Sequence, residues 1–177
     1  MGYTGGTTAN PTYHSLGNHT ESVQLDYDPS VITYEELLTY FWGAHDSSEF
    51  PTSQQYMSAV FPMNKDQEAT VEKVKSELEK QAGYTFQTAV IPLEKFYLAE
   101  EYHQKYYMQA RAHFLAYYQT FYPDAQGWIN STAATRVNAY WAGYGSKSQL
   151  MEEKAQLGLP DDLFLELEDH VNRLSDD

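Results

Sequence analysis

The sequence predicts an α+β fold: a small sheet with helices on it, followed by a helical extension. Two observations predict it. Residues 21–91 read strand, helix, strand, helix, strand, and that alternation suits an α/β or split α+β sheet with helices on one side. After Pro92 the patterns turn helical. A chain of 177 residues is long enough to bury a sizeable core.

Residues 2–20 read as loop, rich in Gly, Thr and Asn, with a turn at Asn10-Pro11. Residues 21–27 alternate polar and apolar with period two, the mark of a strand with one buried face, and Asp28-Pro29 ends it. Thr33 and Glu36 have the spacing of a capping box. The helix they open carries Leu37, Leu38, Phe41 and Trp42 on one side and ends near His45-Asp46. Residues 56–61 form a second strand, stopped by Pro62. Asn64 and Gln67 cap a helix faced by Val71, Val74, Leu78 and Ala82, and Gly83 ends it. Residues 85–91 read as a third strand.

A long amphipathic helix is expected over residues 99–118. Ser131, Ser146 and Asp161 suit the N-caps of three later helices, the last with Leu163, Leu167, Val171 and Leu174 as its apolar stripe. The expected organisation is an α+β domain over residues 1–106 and a helical extension over 107–177, packed on it.

Acidic residues outnumber basic ones by 25 to 11, a net charge of −14. That opposes binding to nucleic acid or to anionic membrane surfaces, both of which need a basic face. No apolar run has the length of a membrane span. The N-terminus lacks the basic start and apolar stretch of a secretory signal, so a cytoplasmic location is expected. The chain has no cysteine. Disulfides, cysteine metal sites and thiol nucleophiles are thereby excluded within these residues.

The six histidines show no metal-ligand spacing, and no metal site is expected. Tyr13, Glu21 and Tyr56 are a more interesting set. Glu21 starts a strand directly after a polar loop. A carboxyl half-buried among tyrosines can act as an acid, and two hydroxyls can donate to a polar oxygen on a ligand. The alternative is a strand-edge glutamate with tyrosines as core filler, and composition alone favours it.

Several segments in one order resemble the class A peptide methionine sulfoxide reductases. They are Gly2-Tyr3-Thr4-Gly5-Gly6, Asn10-Pro11-Thr12-Tyr13, His19-Thr20-Glu21, Tyr27-Asp28-Pro29 and Tyr34-Glu35-Glu36-Leu37-Leu38. Phe41-Trp42 with His45-Asp46, Gln55-Tyr56-Met57-Ser58-Ala59, and the run from Phe96 to Tyr106 continue the series. Residues 107–177 resemble a helical extension of some members. The resemblance implies a ferredoxin-like split β-α-β sheet. It implies reduction of methionine-S-sulfoxide to methionine, free or in proteins, in protein repair under oxidative stress. No bound cofactor is implied; thioredoxin or another thiol reductant is the implied partner of a complete member. Tyr13 and Tyr56 match the tyrosines that hydrogen-bond the sulfoxide oxygen. Glu21 matches the acid that protonates this oxygen as the S–O bond breaks.

Two departures stand out. An aspartate that precedes the second tyrosine in many members has no counterpart, since Pro51 and Thr52 occupy that stretch. The Gly-Cys-Phe-Trp segment that supplies the nucleophile is also missing, with its strand and helix. Serine cannot replace it in a sulfenic acid cycle. The expectation is a chain truncated before that segment, unable to catalyse the reaction and poorly stable because of an open sheet edge. An organelle-targeting segment would then fall in the missing N-terminus. The alternatives are a non-catalytic relative that binds methionine sulfoxide or a protein, and an acidic helical interaction module whose surfaces lie in residues 107–177.

Overall fold

The computed structural model describes residues 1–175. The chain divides into two compact units, Met1–Glu100 and Glu101–Asp177. Residues 101–106, grouped with the sheet in the sequence reading, thus belong with the helices. The architecture is α+β.

The first unit holds five short strands: β1 (Gly2–Thr4), β2 (Thr20–Ser22), β3 (Ala59–Val60), β4 (Ala89–Val90) and β5 (Tyr97–Leu98). They make two sheets rather than one. One is antiparallel in the order β2-β1-β5; the other is the parallel pair β3-β4.

β1 corrects the reading of residues 2–20 as loop, and β5 corrects the reading of the segment after Pro92 as helical. Both strands are too short for a period-two signal, and tertiary contacts fix them. Tyr3 is buried and pairs with Glu21 on one side and Tyr97 on the other. The Thr4 hydroxyl donates to the Lys95 carbonyl at 2.7 Å. A Cβ on Gly2 would lie 2.1 Å from the Phe96 ring, so only glycine fits there. The three strands read from the sequence shrink to β2, β3 and β4. Beyond Ser22, residues 23–26 have no regular secondary structure and pair with no strand among the described residues.

Helix α1 (Tyr34–Gly43) has the expected capping box: Glu36 N–H donates to the Thr33 hydroxyl, and Thr33 N–H donates to the Glu36 carboxylate. His45 Nδ1–H donates to the Phe41 carbonyl at 2.8 Å and so finishes the helix; Nε2 then accepts from Thr88 at 3.0 Å. Helix α2 (Lys65–Ala82) runs from its Asn64 cap to Gly83 at φ 79°. Leu38 and Trp42 of α1 pack with Val71 and Val74 of α2 and with Phe86. Tyr3, Leu16 and Ala99 form a second, smaller cluster.

In the second unit the single long helix expected over residues 99–118 is a 3₁₀ turn (Glu101–His103), α3 (Tyr106–Gln109) and α4 (Ala112–Gln119). The break falls at Lys105, which adopts a left-handed φ of 46°. The Gln109 amide makes it tolerable by donating to the carbonyls of Glu101 and Gln104, which a continuous helix would have satisfied with backbone. Four helices follow: α5 (Ala125–Asn130), capped by Asp124; α6 (Thr132–Trp141), capped by Ser131; α7 (Lys147–Leu157), capped by Ser146; and α8 (Asp161–Ser175). α5 was not foreseen. Asp161 is the first helical residue of α8 rather than its cap, since Phe164 N–H bonds the Pro160 carbonyl. Fourteen buried residues, Trp128, Phe114 and Leu167 among them, make one continuous core. No helix among the described residues is long and apolar enough to cross a membrane.

Candidate functional site

The segment from Gly5 to His19 is folded by its own polar contacts. Gly6 N–H donates to His19 Nδ1 at 3.2 Å, which leaves His19 Nε2–H to donate to the Thr8 carbonyl at 2.8 Å. A Cβ at Gly6 would strike the Asn18 backbone at 2.6 Å. Within this segment Thr12 and Ser15 pair through both backbone bonds and place Tyr13 and His14 at the tip of a tight turn. Tyr13 N–H donates to Glu100 at 3.0 Å, and the other Glu100 oxygen accepts from the Tyr3 hydroxyl at 2.6 Å. One carboxylate thus ties the turn that carries Tyr13 to the strand that pairs with Glu21.

Glu21 sits in the middle of β2, half-buried. Its N–H donates to the Gln55 carbonyl at 2.9 Å, and the preceding Thr20 hydroxyl donates to the Gln54 carbonyl at 2.9 Å. These bonds bring Tyr56 beside the strand. The Gln55 side-chain amide then donates to the Glu21 carboxylate at 2.6 Å and to the Tyr56 hydroxyl at 3.1 Å. The Tyr56 hydroxyl also hydrogen-bonds Tyr13. That bond, with some loss of solvation and the Glu21 carboxylate nearby, pushes the Tyr56 phenol above its ordinary pKa.

Tyr13, Glu21 and Tyr56, taken from different stretches of sequence, therefore form one hydrogen-bonded cluster. Tyr56 is 62% exposed, so its hydroxyl is within reach of a ligand. A carboxyl and two phenols converge where a polar oxygen can be held by hydrogen bonds. Two members of the network were missed from sequence. Gln55 bridges Glu21 to Tyr56, and it stands next to Tyr56 in the same quoted segment. Glu100 positions Tyr13 from 87 residues away, and no spacing rule reaches that far. Among the described residues no group of three or more His, Cys, Asp or Glu side chains is arranged to hold a metal ion.

The family profile described as peptide methionine sulfoxide reductase matches residues 1–130. The chain belongs to that family. A Drosophila melanogaster peptide methionine sulfoxide reductase is 37% identical over 161 residues, covering 90% of this chain and 64% of the relative. MsrA from Cronobacter sakazakii is 39% identical over 119 residues, covering 59% of this chain and 56% of that protein. MsrA from Listeria monocytogenes is 32% identical over 153 residues, covering 80% and 81%. The chain thus spans less than two thirds of the length of the first two. Among solved structures, Mxr1 from Saccharomyces cerevisiae in reduced form superposes with a TM-score of 0.56 at 29% identity, over 59% of this chain and 66% of that one. The chain has no cysteine anywhere, a departure from thiol chemistry that family membership does not remove.

Proposed function

We propose that this chain is the oxygen-binding part of a peptide methionine-S-sulfoxide reductase, and that the 177 residues do not reduce sulfoxide by themselves. The observation that carries the first half is the cluster in which Gln55 bridges Glu21 and Tyr56, with Tyr13 bonded to the same Tyr56 hydroxyl. The observation behind the second is the absence of cysteine.

In this reading the Tyr13 and Tyr56 hydroxyls donate to the sulfoxide oxygen, and Glu21 gives it a proton as the S–O bond weakens. A thiolate must attack the sulfur. The oxygen, carrying the Glu21 proton, then passes from the methionine sulfur to the attacking sulfur as the sulfur–sulfur contact breaks, so methionine leaves as the thioether and the thiol becomes a sulfenic acid. That thiol has to come from outside these residues. Thioredoxin or another thiol reductant would return the sulfenic acid to thiol. The substrates are methionine-sulfoxide residues of proteins or peptides. The ferredoxin-like split sheet belongs to the same reading, because the two separate sheets would need a further strand to become one.

The test is binding of a methionine-S-sulfoxide peptide, measured by calorimetry against its R epimer and the unoxidised peptide. Each substitution, Glu21→Gln and Tyr56→Phe, removes one charged or hydroxyl contact, and each is expected to weaken binding by about five- to tenfold. Binding indifferent to both changes would rule the assignment out.

A further inference from the structure

The helical unit carries a titratable group that the proposed reaction does not use. His170 lies in the C-terminal half of α8, between Leu167 and Val171, which are buried in the core. Its ring packs on Trp141, the last residue of α6, with centroids 4.4 Å apart and planes tilted by 39°. Its Nδ1–H donates to the Trp141 carbonyl. Nε2, the remaining ring nitrogen, is buried and has no hydrogen-bond partner among the described residues. The same Trp141 ring carries the Arg111 guanidinium 3.9 Å from its centroid and meets Phe114 in a T-shaped contact at 5.3 Å. Arg111 is held there, since its Nη1–H donates to the Tyr107 carbonyl at 3.0 Å.

A second proton can enter this ring only at Nε2. It would create a buried N–H without an acceptor and a positive charge with it. The charges that act on the ring are both positive: Arg111 at the start of α4 and Arg173, one turn further along α8. From α6 the ring meets Trp141, whose own buried Nε1–H is a donor, while Arg136 of that helix bonds Gln156 and Glu153 of α7. The nearby carboxylates of α8 are engaged elsewhere: Glu166 by His113, Glu168 by Lys147 and Asp169 by Arg173. Burial, then Arg111 and Arg173, hold the His170 imidazole below its ordinary pKa of 6.5, and the bond to the Trp141 carbonyl offsets only part of this. The unfolded chain therefore takes up this proton at a higher pH than the folded one. Stability is full above about pH 6.5 and is lost as pH falls below it. His113 works in the opposite sense, because its protonation strengthens the 2.8 Å pair with Glu166.

We propose that His170 is a proton-sensitive latch on α8: the neutral ring holds the C-terminal half of the helix on Trp141, and a proton at Nε2 releases that half from the core. Leu167 and Val171 leave the apolar cluster together with it, because they flank His170 on the same helix.

The test follows the whole chain by NMR between about pH 7.5 and about pH 5.5, a window that brackets ordinary histidine titration. The His170 ring signals should titrate below about 6.5. Hydrogen-exchange protection of the α8 amides beyond Leu167, corrected for the intrinsic rate, should fall about tenfold across the window, while the α6 amides keep theirs. His170→Asn retains a donor for the Trp141 carbonyl and takes up no proton. Whatever it costs at the higher pH, the acid loss in α8 should disappear. Arg111→Met removes the charge over Trp141 and should move the His170 titration upward. His113→Gln should leave the α8 loss in place or enlarge it. Titration of His170 at or above about 6.5 would overturn the latch. So would α8 protection that does not change with pH, or an acid loss that His170→Asn keeps in full. If His170→Asn does not fold, the ring titration and Arg111→Met decide the matter.

Discussion

The two units of this chain close their cores in different ways. In Glu101–Asp177 fourteen buried residues form one cluster, drawn from every helix of the unit. In Met1–Glu100 the buried residues fall into a cluster of five and a cluster of three, while Val23, Leu25 and Met63 stay exposed beside a cavity. The helical unit satisfies its backbone through its helices, their caps and side chains such as Gln109 and Asn138, and it does so without strand partners. The sheet-bearing unit depends on strand partners, and β2 and β3 each have only one. The difference is one of closure: the helical unit gathers its buried residues in one core, and the sheet-bearing unit keeps a cavity that Glu21 of its polar cluster also lines.

The largest expected effect breaks or supports this contrast directly. Leu167→Ala, at a position with no exposure, should cost about 2–5 kcal/mol in urea unfolding followed by circular dichroism. Val23→Thr and Leu25→Thr should each stay within about 0.5 kcal/mol in the same measurement. Comparable losses at all three sites would show that the first unit is as closed as the second.

A pH effect should follow in the helical unit. Burial, with the hydrogen bond to Glu153 at 2.9 Å, pushes the Tyr140 phenol up to about 12. The unfolded chain gives up this proton near pH 10, about two units earlier. Between those values the folded state binds more protons than the unfolded one, so stability falls as pH rises. It is fully present below pH 10 and the loss is complete above about 12. Urea midpoints measured across that window should decline, and Tyr140→Phe should flatten part of the decline. A decline of the same steepness in Tyr140→Phe would remove this residue from the account.

The smallest effects are the caps. Ser146→Ala and Thr33→Ala each remove a hydroxyl that accepts a helix N–H, and each should cost about 1 kcal/mol. Equal costs in the two units would show that local helix ends are built alike, and that the units differ only in their longer-range pairing.

That division also explains what was legible in the sequence. The Thr33, Asn64, Ser131 and Ser146 caps and the Gly83 stop were readable because each is settled within one helical turn. β1 and β5 were not, since three- and two-residue strands carry no periodicity and exist through pairing with each other. The break at Lys105 was hidden because apolar spacing continues through it, while its compensation lies in one side chain, Gln109. Tyr13, Glu21 and Tyr56 stood out by resemblance rather than by spacing. Gln55 and Glu100 act through contacts that only the folded chain creates.

The proposed polar site recognises a sulfoxide oxygen without supplying the nucleophile. It is tested most directly by incubating the purified chain with a methionine-S-sulfoxide peptide and dithiothreitol and quantifying the methionine peptide by mass spectrometry. The predicted result is no product above a protein-free control, with the sulfoxide peptide still bound. Product formed in proportion to the chain and abolished by Glu21→Gln would contradict the claim.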